Sequence, residues 1–430
     1  VSATAASAAT AAAPTRYEAE AAPATCSGTI DSNWAGYSGT GFCNATNAVG
    51  AAAQFTVNAA TAGTATVGVR FANGTTTARP AEVIVNGSTV QNASFEGTGA
   101  WTTWVTKTLT VSVNQGSNTI RFSPTNAAGL PNIDYLDFEV GSGSSGPVIP
   151  GLYADPHITY LDGRYYIYPT TDGFVGWTGT YYKAFSSTDL VNWTDHGVIL
   201  DLRPDVSWAD SSAWAPAIAA KNGKYYFYFS GGASSTSAKQ IGVAVADSPT
   251  GPFRDALGRP LVRAGQFPGQ TIDPMVFTDD NGQSYLYWGQ GTANVVPLNS
   301  DMISFDSTKV RSFRPTGYNE GAFVVKRNGV YYFMWSEGDT RSEDYRVAYA
   351  TGSSPMGPWT KRGVILQKRL DLGIKGTGHH SVVRVPGTDT WYMAYHRFAI
   401  PGGDGYHREV MINRMNFNSD GTIQPVVPTR

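Results

Sequence analysis

Cysteine is nearly absent: among 430 residues only Cys26 and Cys43 carry sulfhydryl sulfur. So few cannot build a disulfide-dense scaffold or a cysteine-based zinc centre. No HExxH or paired-histidine helical spacing offers another zinc site, and no cofactor is expected for catalysis. The two cysteines lie close together near the N-terminus, which permits one local disulfide in an oxidising compartment; two buried free thiols are the other reading. Charge is scarce too. Asp, Glu, Lys and Arg make up 15% of the chain and sum to a net −2. With no basic block, the electrostatic footprint for nucleic acid or an anionic membrane surface is missing. No run of about 18 apolar residues occurs, so no transmembrane helix is expected. A neutral partner is what remains.

What the chain has in plenty is glycine, 48 residues, and aromatic rings at 12%, with 11 Trp and 23 Tyr. This balance suits a strand-rich extracellular protein. Aromatic faces stack on the CH faces of sugars, so a polysaccharide or oligosaccharide is the neutral partner the composition favours. Residues 1–15 are mostly Ala, Ser and Thr without a basic start or a Leu-rich centre. They read as a disordered tail left by secretory processing rather than an intact signal peptide, which places the protein outside the cell. A chain of this length is expected to hold two domains, in a monomer.

From Tyr17 to Val140 short runs such as Thr64–Phe71, Val83–Val85 and Asn118–Phe122 alternate apolar and polar residues, with an Asn86-Gly87 turn. Period two argues for a β-sandwich over residues 16–140. The opening Tyr17-Glu18-Ala19-Glu20 and the closing Ile133–Phe138 are expected as edge strands. Their pairing would gather Glu18, Glu20 and Asp137, a carboxylate set that suits Ca²⁺ or else is simply solvated. This stretch resembles carbohydrate-binding modules of families 6 and 35. The resemblance implies a jelly roll with structural Ca²⁺ at Glu18, Glu20 and Asp137, and sugar contacts from Trp101 and Asn132, with Tyr37 a weaker candidate. Trp101 and Trp104 read equally as core residues.

Residues 141–150, rich in Gly and Ser, are a linker by composition. Beyond them an aromatic strand recurs five times, at Gly163–Tyr168, Gly223–Tyr228, Gln283–Trp288, Gly329–Met334 and Thr390–Ala394. Aligning Tyr165, Tyr225, Ser284, Tyr331 and Trp391 gives spacings of 60, 59, 47 and 60 residues. Each is enough for a four-stranded unit, so residues 151–430 are expected to form a five-bladed β-propeller, making the whole chain all-β. A second phrase, Ser187–Trp193, Asp247–Phe253 and Ser354–Trp359, marks hairpins at the blade edges.

Ahead of three of the aromatic strands stand acids: Asp155 in Ala154-Asp155-Pro156-His157, Asp273 in Ile272-Asp273-Pro274-Met275 and Glu320 in Glu320-Gly321. The proline after each Asp predicts extended geometry there, on the innermost strand of a blade. Equivalent positions of successive blades face one axis and would converge. Paired carboxylates acting as acid and base are what glycoside hydrolysis needs. The plain alternative is that Asp-Pro is a common turn and Glu320 a loop cap.

With Ser212–Pro216, Gly376–Ser381 and His407-Arg408-Glu409 added, residues 151–429 resemble glycoside hydrolase family 43. The resemblance implies an inverting enzyme with Asp155 as general base, Glu320 as general acid and Asp273 tuning that acid. It further implies that Arg408 forks onto sugar hydroxyls, where a surface ion pair is the alternative. By the same resemblance His379 holds a water or Ca²⁺ in the channel beneath the pocket, against an axial core histidine. Trp214, Trp177, Trp208 and Phe174 are candidates for the pocket wall. The expected activity is release of terminal α-L-arabinofuranosyl groups from a polymer such as arabinoxylan. A β-D-xylosidase is the near alternative, arabinanase or galactanase more distant ones, and a non-catalytic lectin the reading from another class.

Overall fold

Alternation in the sequence becomes alternation in space: along Gly63–Ala72 the side chains of Ala65, Val67, Val69 and Phe71 are buried while those between them are not. The structure, a computed structural model, describes residues 14–60, 63–140 and 146–430. The expected tail, but for its last two residues, and the first half of the expected linker lie outside the described residues. Two compact units result, one of residues 14–140 with 416–427, the other of 146–415 with 428–430. Among the described residues no helix is long and apolar enough to cross a membrane.

The first unit is a sandwich of two antiparallel sheets. One runs in the order Gly28–Asp31, Phe42–Ala45, Asn132–Val140, Gly63–Ala72 and Val105–Val113, with Thr15–Glu18 also paired to Asn132–Val140. The other runs Thr25–Cys26, Ala53–Ala59, Gly116–Pro124, Arg79–Val85 and Ser88–Phe95. Val67, Val69 and Leu136 of the first pack with Phe55, Val83 and Phe122 of the second in one core. A disulfide between Cys26 and Cys43 ties the two sheets together. Asn86 and Gly87 turn the hairpin with φ of 50° and 84°, the left-handed pair that a two-residue turn matching strand twist requires. The expectation of an edge strand at Ile133–Phe138 is corrected. Its apolar residues place it inside the sheet, with Gly63–Ala72 on one side and Phe42–Ala45 and Thr15–Glu18 on the other.

The second unit is five antiparallel sheets in chain order, four of four strands and a last one of three. Their first strands are Tyr153–Leu161, Ser211–Lys221, Met275–Thr278, Glu320–Arg327 and Gly378–Arg384. The aromatic repeats are the second strands: Arg164–Thr171, Lys224–Gly232, Ser284–Trp288, Val330–Glu337 and Trp391–Phe398. These are buried almost end to end, because each lies inside its sheet and meets packing on both faces. The Ser187–Trp193, Asp247–Phe253 and Ser354–Trp359 phrases connect third strands to fourth ones. First strands touch in chain order, and that of the first sheet also touches that of the fifth. There Ser381 Oγ accepts the Ile158 N–H at 2.8 Å and donates to Pro156 O at 2.5 Å.

At the start of every first strand two residues stand opposite one. They are Asp155-Pro156, Ala215-Pro216, Gly321-Ala322 and His379-His380 in four sheets. In the third sheet Asp273-Pro274 lies between the Gly289 N–H bond to Ile272 O and the Met275–Tyr287 pair. The first residue of each bulge has positive φ: 47° at Asp155, 35° at Ala215, 60° at Asp273, 69° at Gly321 and 43° at His379. The expectation that Asp155 and Asp273 are extended is thereby corrected. Proline bars its predecessor from the right-handed helical region, and a left-handed bulge residue obeys that bar as well. For residues other than glycine this backbone costs on the order of 1–3 kcal/mol each, and such strain collects where a side chain must be aimed.

Candidate active site

The bulges turn Asp155, Asp273 and His379 toward one cavity of about 710 Å³, which Glu320, Arg408, Trp177 and Trp214 also line. Four sheets contribute at least one of the charged groups. Among the described residues Asp273, Glu320 and His379 bring one polar atom each within 4.8 Å of one another.

Asp155 is buried. Its Oδ2 accepts the Thr170 hydroxyl at 2.7 Å, and its Oδ1 lies 3.2 Å from His379 Nδ1 and 3.6 Å from Arg408 Nη1. Burial alone would raise its pKa. The neighbouring His379, Arg408 and His396 outweigh that and hold the carboxyl well below the usual range, so it is ionised.

Glu320 and Asp273 are pushed the other way. Burial is the largest cause at Glu320, opposed by His379 and by hydrogen bonds from Tyr345 Oη to Oε1 and Gln290 Nε2 to Oε2, each 2.8 Å. At Asp273 burial is joined by repulsion from Glu320 and Asp155, against one bond from the Gly321 N–H, and Oδ2 is buried with no partner. Both pKa values are raised, and the two acids behave as a pair that keeps a proton between them. The pocket therefore holds a carboxylate kept ionised facing two acids whose raised pKa values favour one proton held between them. Pocket acids pushed apart in this manner can take up a proton at one position and give one at another.

Arg408 is buried and held by Asp172. The guanidinium donates through Nε and Nη2 to Asp172 Oδ2 and Oδ1, each at 2.9 Å, and the Arg408 N–H donates to Oδ2 at 2.8 Å. Its Nη1 donates to Thr340 Oγ1 at 3.0 Å. The side edge of the guanidinium is thus spent on the protein. The expectation that it forks onto sugar hydroxyls narrows to what the remaining Nη1 and Nη2 hydrogens reach, and a surface ion pair is ruled out by the burial.

Trp177 and Trp214 form a wall, ring centroids 6.2 Å apart at 83°, with Trp214 Nε1 donating to Trp177 O at 2.7 Å. Trp177 Nε1 donates to Gly405 O at 2.8 Å, and its ring meets Tyr406 at 4.8 Å. Two other expected wall residues are corrected. Trp208 stacks on Phe229 at 5.7 Å and donates to Asp255 from Nε1, so it packs on the second sheet. Phe174 is 37% exposed and does not line the cavity. His379 faces the pocket carboxylates themselves rather than a channel beneath them. The next residue points away on the alternating strand: His380 is buried against Phe323, its two nitrogens unpartnered, and burial lowers its pKa to about 3.

In the sandwich the expected acid set is altered by one member. Asp137 is bonded by Arg16, Nε to Oδ1 at 2.8 Å, on the outer face. Asp134, at a bulge between Ile133 and Tyr135, joins Glu18 and Glu20 instead. The turn Ser38–Thr40 draws them together: Ser38 N–H donates to Asp134 Oδ1 at 2.9 Å, Ser38 Oγ to Glu18 Oε1 at 2.8 Å and Thr40 N–H to Glu20 Oε1 at 2.8 Å. Glu18 Oε2 and Glu20 Oε2 are buried without partners. Burial, more than the opposing Ser38 bond, raises Asp134 to about 6. Orphaned carboxylate oxygens in such a set fit a hard cation. Trp101 stacks on Trp34 at 6.5 Å, and Asn132 is buried at one end of its strand. Tyr37 and Trp104 both pack on Phe42 and are half-buried at the edge of the sandwich.

Thr170, Asp172, Gln290, Thr340, Tyr345 and His396 were not read from the sequence. For Thr170 and His396 a signal exists, since both stand five residues after the aligned aromatic of their repeats. The others have none, as their partners are brought to them only by the folded chain.

The model of glycosyl hydrolases family 43 matches residues 144–423, and that of carbohydrate-binding module family 6 matches residues 19–140. The chain belongs to glycosyl hydrolases family 43. It is a glycoside hydrolase with an attached family 6 module. Among family 43 relatives, a β-D-galactofuranosidase of Aspergillus niger is 38% identical over 66% of this chain and 85% of its own length. An arabinoxylan arabinofuranohydrolase of Bacillus subtilis is 35% identical over 66% of this chain but only 64% of its own length. A family 43 β-xylosidase/α-arabinofuranosidase from a compost metagenome, solved with xylotriose in a calcium-free form, superposes with a TM-score of 0.56 at 32% identity, covering 66% of this chain and 98% of that one.

Proposed function

We propose that this family 43 enzyme is a secreted, inverting exo-glycosidase that releases terminal α-L-arabinofuranosyl groups from a plant cell-wall polysaccharide such as arabinoxylan. Its five sheets act as blades of a closed propeller, and its module is a jelly roll. The observation that carries the reading is the division of charge in one cavity, with Asp155 held ionised while Glu320 and Asp273 keep a proton.

In the reaction Asp155 takes a proton from a water as its oxygen forms the new bond to the anomeric carbon. The bond to the leaving oxygen breaks, and Glu320 gives that oxygen its proton. Asp273 supports the protonated form of Glu320 by its negative charge and its bond to the Gly321 N–H. Solvent then returns Asp155 to the ionised form and Glu320 to the protonated one. The attack comes from the face opposite the leaving group, so configuration inverts. Trp177 and Trp214 block one side of the cavity, which favours a single terminal sugar over an internal stretch of chain.

The name of the Bacillus relative supports the arabinoxylan reading, and the xylotriose complex of the compost enzyme keeps a β-D-xyloside as the second reading. The Aspergillus relative adds a third sugar. β-D-Galactofuranose has the ring configuration of α-L-arabinofuranose with one more exocyclic carbon. In the module, Glu18, Glu20 and Asp134 would hold Ca²⁺, and the Trp34–Trp101 pair with Asn132 would receive sugar. The disulfide and the low-charge, aromatic-rich composition support secretion.

Aryl glycosides of the three sugars, assayed side by side, test the reading. The arabinofuranoside is expected to give the highest kcat/KM, with an inverted product in the first minutes by NMR. A retained configuration, or turnover of none of them, would overturn it.

A further inference from the structure

Each bulge at the head of a first strand withdraws the N–H of its positive-φ residue from the ladder. Four of the five are satisfied in one way, by the side chain that stands five residues into the aromatic strand of the preceding sheet. Thr170 Oγ1 accepts from Ala215 at 2.7 Å, Ser230 Oγ from Asp273 at 3.0 Å and Ser336 Oγ from His379 at 2.9 Å. His396 Nδ1, in the fifth sheet, accepts from Asp155 of the first at 3.1 Å. The remaining counterpart is Gly289, where an added Cβ would lie 2.0 Å from Thr292 O. With no side chain there, the Asp273 carboxylate accepts the Gly321 N–H instead. A buried N–H left unpaired would add its own cost to that of the left-handed backbone, so these acceptors decide whether the bulge persists.

We infer that this set of acceptors fixes the bulges from which Asp155, Asp273 and His379 reach the pocket, and that His396 is the positioning residue of Asp155. The inference rests on the proposed role of Asp155 as base. Three members of the set are hydroxyls; the one that holds the base is an imidazole. Burial brings the His396 pKa down to about 4, so the ring is neutral near pH 7. The same Nδ1 lies 3.1 Å from Asp155 Oδ1, so the ring meets the backbone and the carboxylate of Asp155 together, and its Nε2 faces Thr340 Oγ1 at 3.5 Å. The ring also stacks on Tyr345 at 5.6 Å and 7° between planes, and the Tyr345 hydroxyl is bonded to Glu320. A serine at this position would accept the N–H but could not span to Tyr345 and Thr340. The imidazole thus holds the base by its backbone while bracing the partner of the acid.

Two substitutions divide these contributions. His396→Asn places an amide oxygen where Nδ1 stands, and His396→Phe keeps a ring on Tyr345 but has no acceptor. On an aryl arabinofuranoside the Phe variant is expected to lose about 100-fold in kcat with KM within about threefold, the scale of a misaimed group in an intact pocket. The Asn variant should stay within about tenfold of the parent. In an Asp155→Ala background His396→Phe should cause no further loss. Equal losses in both single variants, no loss in the Phe variant, or a loss that persists without Asp155 would each overturn the inference. If the Phe variant does not fold, His396→Gln, whose amide oxygen overshoots the Nδ1 position, replaces it with the same expectation. Failure of the base assignment itself reads differently, because Asp155→Ala would then keep its activity.

Discussion

In the catalytic unit the three carboxylates come from three sheets and each has its own partners, whereas in the sandwich Glu18, Glu20 and Asp134 come from one short terminal segment and the strand it pairs with. All three pocket acids and Asp134 are buried, while Glu18 and Glu20 are half-buried with one buried oxygen each. In the pocket burial is answered by a cation and histidines at Asp155 and by a retained proton at Glu320 and Asp273. In the sandwich it is answered by hydrogen bonds from Ser38 and Thr40 and by Arg70, 3.5 Å from Asp134, and two oxygens, on Glu18 and Glu20, stay unpartnered. Carboxylates that differ in protonation can pass protons. Those that are alike and short of partners call for a cation. The difference lies in the neighbours, since both sets are the same side-chain chemistry.

The comparison is broken most directly at the pocket. Glu320→Ala and Asp155→Ala should each lower kcat on a poorly activated aryl substrate by about 10³-fold. With a dinitrophenyl leaving group, which needs no proton, the Glu320→Ala loss should shrink greatly while the Asp155→Ala loss stays. Equal behaviour on both substrates would mean the two acids do not differ in role.

The sandwich should respond to a cation where the pocket responds to substitution. Ca²⁺ at about a hundred times its Kd would stabilise the module by about 2.7 kcal/mol, and raise its thermal midpoint by roughly 10 °C. Glu20→Gln or Asp134→Asn should abolish that gain and Asp137→Asn should not, as read by calorimetry with and without chelator. A gain lost in Asp137→Asn would restore the acid set that the sequence suggested.

Asp172→Asn sharpens the pocket side. Losing the charge-assisted clamp on Arg408 should raise KM by about tenfold with a smaller change in kcat. A loss confined to kcat would show that Asp172 does not act through sugar binding.

The mildest test concerns the shared proton. Folding has raised the pKa of Glu320 and of Asp273, so activity should fall as pH rises through the raised value. Removing one repelling charge with Asp273→Asn should move that alkaline limb to lower pH, by about one unit. A limb that stays in place would mean Asp273 does not set the protonation of Glu320.

Much of this was legible before folding. The Asp-Pro echo and the aromatic repeat placed all three pocket acids at the heads of first strands, because a repeat carries its geometry with it. Asp137 was misplaced because the bulge at Asp134, which brings that carboxylate to the Ser38–Thr40 turn, leaves no mark in the alternation of the strand. Trp208 and Phe174 were misplaced since an aromatic residue near a pocket motif packs on whichever surface its loop reaches. Tyr345, Gln290 and Asp172 carried no signal, for each acquires its meaning from a partner 25 to 236 positions away.

The amino-acid order by itself determined two all-β units, the repeat that builds the second, and which acids stand where chemistry is possible. It did so because strand period, turn residues and repeated phrases are local. The tertiary structure alone decided which carboxylate is ionised, which pair keeps a proton, and which acids are left without partners. Burial and electrostatic neighbours set a pKa, and both come into being only when distant sheets meet.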